Sequence, residues 1–307
     1  MKIPKIPLFM VALTLAAGEA LVQLSGIVDI PVYRADNTIG YIPAPGQSGN
    51  FLNLRKWQFN EHSMGASAFA PDSRRFNVLL LGDSVVLGGN PLAQGERLGP
   101  RLESLTGWQV WPVSAGSWGL QNQMAYIRSH PEILKVVDAV AIVLNSGDFG
   151  GPSSWASSLT HPLKRPFSGL LHVARKYVFS LGSPPGVRAE LQVMPRDWRV
   201  DLHDFSVAYR KPVFIFLFPR LDEFEDPEKM HRQLDSMVPD LQKHSGGNTK
   251  KVWVAASPLW EKSFYRDAVH PSSKGNAALA RVLVNSMCES RTQKMTCPVL
   301  NDTAQPQ

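Results

Sequence analysis

Five apolar runs recur along the chain: Phe76 to Leu81, Trp108 to Val113, Ala139 to Leu144, Val213 to Phe218 and Val252 to Ala256. They lack the regular in-out alternation of a strand with one wet face. Runs of Val, Ile, Leu and Phe of this kind predict strands covered on both faces, as in a parallel sheet. Helical spacing fills the intervals. Leu92, Leu98, Leu102 and Leu105 precede Gly107 as a stop signal; Met124, Ile127 and Leu134 follow the second run. Met230, Leu234, Met237 and Leu241 share a face before the fifth, and a last helix capped at Ser272 or Ser273 carries Leu279, Val282, Leu283 and Met287. Strands alternating with helices over residues 76–287 predict an α/β domain with a doubly wound, five-stranded parallel sheet, whose site forms at the carboxyl ends of its strands.

Residues 26–75 break this rhythm with Pro43, Pro45, Gly46 and Gly49 between isolated apolar positions, and are expected to form a small β-rich preface. Residues 149–211 break it again, directly after the third strand. This irregular insertion holds Trp155, Trp198 and many basic residues, with an amphipathic helix from about Leu170 to Phe179, and is expected to act as a lid or site wall.

The first 25 residues form an address. Lys2 and Lys5 precede an apolar run from Ile6 to Gly18, and Glu19 is the next charge before Asp29. Two readings stay open: a leader removed after Ala20, or an uncleaved membrane anchor from about Ile6 to Ser25, which reaches the ~20 residues a span needs. Either places the body outside the cytoplasm, in the periplasm or cell envelope. The two cysteines, Cys288 and Cys297, enclose a short polar segment at the start of the 288–307 tail and are expected to form a disulfide in an exported chain. With 307 residues and a net charge of +6 spread among acids, the chain is long enough for a full core and lacks the basic stripe of a nucleic-acid binder. The histidines do not pair at metal-ligand spacing and no glycine-rich phosphate loop precedes a helix, so neither metal nor cofactor is expected. The oligomeric state is open.

The chemistry concentrates at two places. The first apolar run ends in Gly82-Asp83-Ser84, which sets a serine hydroxyl at a strand end; far downstream, Asp267 stands three residues before His270. A serine hydroxyl needs an imidazole to take its proton, and the imidazole needs a carboxylate to fix its tautomer. Ser84 is the candidate nucleophile, His270 the base and Asp267 its orienter. The segment lacks the second glycine of a Gly-x-Ser-x-Gly elbow, which disfavours an α/β-hydrolase.

In this order, at opposite ends of an α/β pattern, these motifs resemble the SGNH or GDSL hydrolase family over roughly residues 76 to 287. The residues from Gly40 to Gly65 loosely resemble the preface of its envelope-polysaccharide members. The resemblance implies a flavodoxin-like sheet and an oxyanion hole built from the backbone N–H of Ser84, a second-block glycine, here Gly116, and a third-block asparagine. The family's Gly-x-Asn-Asp reads Asn145-Ser146-Gly147-Asp148 in this chain, so Gly147 stands where the asparagine is expected. Asn145, two residues earlier, is the first substitute donor, and Asn122 the second. Asn122 and Trp155 are candidate substrate contacts. The function expected is a serine esterase that removes O-acyl groups, such as acetyl, from an acylated envelope or extracellular polysaccharide. The alternatives are an O-acetyltransferase of the same fold and a non-catalytic glycan-binding or assembly protein, which Gly147 favours.

Overall fold

The computed structural model describes residues 5–179, 186–290 and 294–298. Helix α1 (Lys5–Leu24) leads into two antiparallel hairpins, β1 (Tyr33–Asp36) with β2 (Gly40–Pro43), and β3 (Gln47–Phe51) with β4 (Arg55–Phe59). These hairpins are the β-rich preface. Among the described residues no helix is long and apolar enough to cross a membrane, so the spanning form of the N-terminal segment finds no support there.

The main domain runs β5 (Asn77–Gly82), α2 (Ser84–Leu87), α3 (Leu98–Thr106), β6 (Gln109–Ser114), α4 (Leu120–Ser129), α5 (Pro131–Val136) and β7 (Ala139–Leu144). After α6 (Gly169–Val173) and α7 (Trp198–Ala208) come β8 (Val213–Leu217), α8 (Leu221–Glu225), α9 (Pro227–Gln233), α10 (Val238–His244), β9 (Thr249–Trp253) and α11 (Ser273–Cys288). The five strands β6-β5-β7-β8-β9 pair in that order, all parallel. This is the flavodoxin-like succession 2-1-3-4-5, with the chain reversing direction between β5 and β7.

The strand sequences explain why both faces are covered. Successive side chains point to opposite sides. Leu79, Leu81, Val140, Ile142, Leu144, Ile215 and Leu217 join one core with Met124 of α4, Leu202 of α7 and Leu241 of α10. Val78, Leu80, Ala141, Val143, Phe214 and Phe216 join the other with Leu98 and Leu102 of α3 and Leu279 and Leu283 of α11. Gly107, in the left-handed region at φ 72°, closes α3 where the stop was expected, and Ser272 caps α11 by accepting from the Gly275 N–H.

Four details differ from the sequence pattern. The fifth strand lies at Thr249–Trp253, not Val252–Ala256, because β9 is an edge strand: it pairs with β8 alone and tolerates Lys250 and Lys251, while Val254–Ala256 turn as a short 3-10 segment. The helical face from Met230 to Leu241 is two helices, with a proline in the first turn of α10. Likewise Pro131 separates α4 from α5. Finally, the stretch 149–211 is not all insertion: α7 is the β7–β8 crossover helix, and its Trp198 is buried against Phe149 instead of facing a substrate.

Cys288, the last residue of α11, is bonded to Cys297. The indole N–H of Trp108 donates to the Thr296 carbonyl at 2.9 Å, so the described residues 294–298 are held against the core that α3 and α11 share. Alkylation without reduction is expected to find no free thiol, and Cys297→Ser to lower unfolding stability by about 2–4 kcal/mol in denaturant titration. A titration curve unchanged by the substitution, or by reductant, would show that the bridge holds nothing in place.

Candidate active site

The ladder register decides which loops meet. In it Gly82 pairs with Ser114 of β6, and Leu81 with Ile142 of β7. Counting on, two residues past Gly82 is Ser84 and two past Ser114 is Gly116; three past Leu81 is again Ser84 and three past Ile142 is Asn145. Parallel pairing therefore brings the loops that carry Gly116, Ser84 and Asn145 out at the same carboxyl end of three neighbouring strands. Gly82 makes the turn possible: a Cβ there would stand 2.4 Å from Cγ2 of Val86 and 3.3 Å from the Val143 carbonyl oxygen.

Ser84 opens α2, and Asp83 is the cap of that helix, accepting from the Val85 N–H at 2.8 Å. The other oxygen of Asp83 collects two donors: the Asn145 amide at 3.0 Å and the Ser84 hydroxyl at 3.3 Å. Asn145 Oδ1 accepts from the Gly147 N–H at 2.8 Å, which fixes the amide with its NH2 toward Asp83. A primary amide carries two hydrogens, and one goes to Asp83. Asn145 thus stands beside the candidate nucleophile, with Gly147 as the turn residue that holds it there.

Asp148 completes this nest. It is buried and accepts from the Asn145 backbone N–H at 2.9 Å. Burial pushes its carboxyl well above the ordinary value, and the neighbouring Asp83 carboxylate adds to the rise. Burial raises Asp83 as well, opposed by the Val85 N–H and by His270. Two like charges in a dry site cannot both ionise cheaply, so Asp148 is the one that keeps its proton longer.

His270 and Asp267 lie in a turn closed by Arg266 N–H to the His270 carbonyl at 2.8 Å and by the Tyr265–Pro271 bridge. Asp267 Oδ1 accepts from the backbone N–H groups of Val269 and His270, and both its oxygens face His270 Nδ1, at 2.8 and 2.9 Å. Partial burial works against the Asp267 carboxylate, but the two N–H bonds and the imidazole outweigh it and hold it down at about 2. The turn is tied to the serine loop: Arg266 Nη1 donates to the carbonyl of Gly88, the residue that ends α2, at 3.3 Å. No hydrogen bond joins Ser84 to His270. The serine hydroxyl is turned to Asp83 instead, at a length beyond the usual 2.5–3.0 Å range for O–H···O.

Two expected contacts play other parts. Asn122 is fully buried; its NH2 donates to the Ile39 and Ser153 carbonyls at 3.0 and 2.9 Å, and its oxygen accepts from Gly119 and Ser153 N–H groups at 3.1 and 2.9 Å. With both hydrogens committed it is a clip between preface, α4 and insertion, not an oxyanion donor or a substrate contact. Trp155 is buried, donates to the His161 carbonyl at 2.7 Å and has Arg188 over its ring. It lines a cavity of about 570 Å³ inside the insertion.

The structure adds residues to the Gly116 loop that the sequence did not single out. Tyr41 of the preface donates its hydroxyl to the Gly116 carbonyl at 2.6 Å, and the Trp118 indole donates to the Tyr41 carbonyl at 2.6 Å. His161 packs on Tyr41 and Tyr33, with Nε2 at 3.5 Å from where a Gly116 Cβ would stand. Burial, helped by Lys176, lowers His161 to about 4, so it is neutral at ordinary pH. A lone histidine in an irregular stretch gives no sequence signal for this. Among the described residues no group of His, Cys, Asp and Glu could hold a metal ion.

No protein-family model matches the chain, and neither does any curated protein sequence. Solved structures do resemble it. A family 2 carbohydrate esterase with a carbohydrate-binding domain from Myceliophthora fergusii is 16% identical, with 73% of this chain and 68% of that one covered at a TM-score of 0.43. A family two carbohydrate esterase from Clostridium thermocellum, in complex with cellohexaose, is 12% identical over 73% and 66%, at 0.42. A lipolytic protein of the G-D-S-L family from Desulfitobacterium hafniense is 12% identical over 68% and 99%, at 0.40. At this level of likeness the chemistry rests on the residues themselves.

Two outcomes test the site. Asn122→Ala is expected to destabilise the fold by at least about 2 kcal/mol, since it leaves several buried groups unpaired at ~1–3 kcal/mol each; an unchanged melting temperature would return Asn122 to the substrate-contact role. A carboxyl raised in the folded state binds its proton more tightly there than when unfolded. Stability is therefore lost as pH rises from the unfolded value through the raised one. Relative to Asp148→Asn, whose amide oxygen can still accept from Asn145, the wild type should lose melting temperature as pH rises from about 4 upward. Parallel curves would refute the raised carboxyl.

Proposed function

We propose that this chain is a serine esterase of the SGNH type, acting through an acyl-enzyme. The observation that carries the reading is that Ser84 and Asn145, from neighbouring strand ends, share one oxygen of Asp83, with the Asp267–His270 turn bonded to the end of the helix that Ser84 begins.

The chemistry follows from the geometry. Asp267 occupies His270 Nδ1, which leaves Nε2 as the basic atom. Rotation of the Ser84 hydroxyl away from its long bond to Asp83 offers its proton to that nitrogen. Catalytic hydrogen bonds are often formed only with substrate present. Ser84 Oγ then bonds to the acyl carbon, the carbonyl π pair moves to oxygen, and the oxyanion is received by the N–H groups of Ser84 and Gly116 and by the Asn145 amide. Collapse expels the alcohol, which takes the proton from His270; water repeats the sequence to release the acid.

O-acyl groups of an envelope or extracellular polysaccharide are the substrate class we favour. In support, the Asp267–His270 turn is open to solvent, and beside it lies a hollow of about 600 Å³ lined by Leu221, Lys262, Tyr265 and Arg266. A mixed polar and aromatic hollow of this size suits a sugar unit. The disulfide suits an exported chain. The second reading, transfer to a sugar hydroxyl in place of water, is favoured by the insertion wall of Ser153 and His161 at the Gly116 loop, which could hold an acceptor.

Ser84→Ala is expected to abolish both fluorophosphonate labelling and p-nitrophenyl acetate turnover with no loss of stability. Asn145→Ala should lower turnover about 100-fold to 1,000-fold with a nearly unchanged Michaelis constant. Labelling that survives in Ser84→Ala would sink the nucleophile. A wild type no faster than Ser84→Ala would support the non-catalytic alternative, and acylated chitooligosaccharide products in mass spectra would favour transfer.

A further inference from the structure

The helix α1 is not a self-contained element. Every side chain from Phe9 to Ala17 is exposed, so this stretch stands clear of the body and offers Phe9, Met10, Val11, Leu13 and Leu15 to the surroundings. A helix apolar all round has no stable place in water. Its second half, by contrast, is built into the protein. Glu19, the one charge in the apolar run, accepts from the Ser168 hydroxyl at 2.8 Å and from the Gly169 and Leu170 N–H groups at 2.8 and 3.0 Å. It therefore supplies carboxylate acceptors at the start of α6, and these donors with Gln23 hold it at about 2. The two helices touch backbone to side chain: a Cβ on Gly169 would lie 2.7 Å from Cγ1 of Val22. Asn53 of the preface donates to the Leu24 carbonyl at 2.8 Å and anchors the far end.

The partner helix repeats the anomaly. From α6 the chain continues as a π-helical turn, Ala174–Val178, and Phe167, Leu171, Tyr177, Val178 and Phe179 are exposed, Phe167 completely. Beside these apolar side chains stand the exposed Lys164, Arg175 and Arg188 and the partly buried Lys176; none forms an ion pair among the described residues, though Lys176 lies over the Tyr177 ring and Arg188 over that of Trp155. Under them lies the 570 Å³ cavity, whose lining combines Phe167 and Leu171 with Lys164, Arg175 and Arg188 and includes no carboxylate. Apolar side chains fringed by unpaired cations are complementary to one surface in particular, acyl chains beneath a layer of phosphates.

We propose that α1 stays in the folded protein and, together with the 167–179 segment of the insertion, docks onto an anionic lipid bilayer, with the cations of the insertion on lipid phosphates. The inference is independent of the catalytic reading. It gives Glu19 a purpose as the coupling between the leading helix and the insertion that walls the Gly116 loop.

The test is flotation of the full-length chain, diluted from detergent, with vesicles of phosphatidylcholine alone or mixed with phosphatidylglycerol. Wild type is expected to float with the anionic vesicles. Lys164→Gln with Arg175→Gln should weaken that binding by about 10-fold or more, as ~1 kcal/mol for each basic residue near the surface implies. Phe167→Asp with Leu171→Asp should weaken it comparably, while Lys243→Gln on α10 should not; far-UV circular dichroism confirms that each variant is folded. Absence of flotation, or equal flotation of all variants, overturns the proposal. So does an intact mass showing that the envelope-extracted protein lacks its first twenty residues. Self-association in sedimentation that the same substitutions abolish, without lipid binding, would assign this surface to a second copy of the chain instead.

Discussion

The parallel pairing of β5 with β6 on one side and β7 on the other is the constraint on which the site depends. A ladder fixes register along its whole length, because slipping one residue would exchange the two faces and turn Leu79 and Leu81 out of one core into the place of Val78 and Leu80. Both faces are dry, so no slip is tolerated. The strand ends inherit this rigidity, and the loops that carry Gly116, Ser84 and Asn145 leave three neighbouring strands at the same end of the sheet.

What the ladder brings together, buried polar groups orient. Asp83 uses one carboxylate oxygen to cap α2 and the other to hold Asn145 and Ser84. Asp148 fixes the Asn145 backbone from the other side. Burying two neighbouring carboxylates is unfavourable: burial raises both, Asp148 further because Asp83 stands beside it, while Asp83 is satisfied by three donors. The outcome is that an asparagine two residues away from its expected position shares the Asp83 oxygen with the candidate nucleophile, with the glycine at the expected position supplying the N–H that turns it.

The preface and the insertion act on the second block. Gly40, in the left-handed region at φ 85°, lets the β1–β2 turn lie against the Ser153 carbonyl, where a Cβ would stand 2.1 Å away. Asn122 then stitches Ile39, Gly119 and Ser153 into one unit. Tyr41 and His161 close over Gly116 from the two flanks. The wall of the candidate oxyanion site therefore depends on chain segments more than 100 residues apart, and a substitution in the preface is felt at the strand ends.

Local order was sufficient for much of this protein. Apolar runs without alternation are a property of neighbouring residues, so the sequence determined the parallel sheet, four of its five strands, the stop at Gly107, the cap at Ser272 or Ser273 and the Asp267–His270 pair, whose own bonds close within three residues. The disulfide also followed from nearby cysteines. The edge strand β9 was misplaced because an edge can hold Lys250 and Lys251, which removes the apolar signal; α7 was hidden because its buried face is set by α4 and α10, far away in sequence. Asn122 read as a possible donor because its type is polar, and only packing showed that all its hydrogen-bonding capacity is used. Tertiary structure alone decided that Asn145 reaches Asp83, that His161 stands at Gly116 and that Glu19 meets Ser168. Each of these depends on a contact across 45 residues or more, which no local pattern encodes.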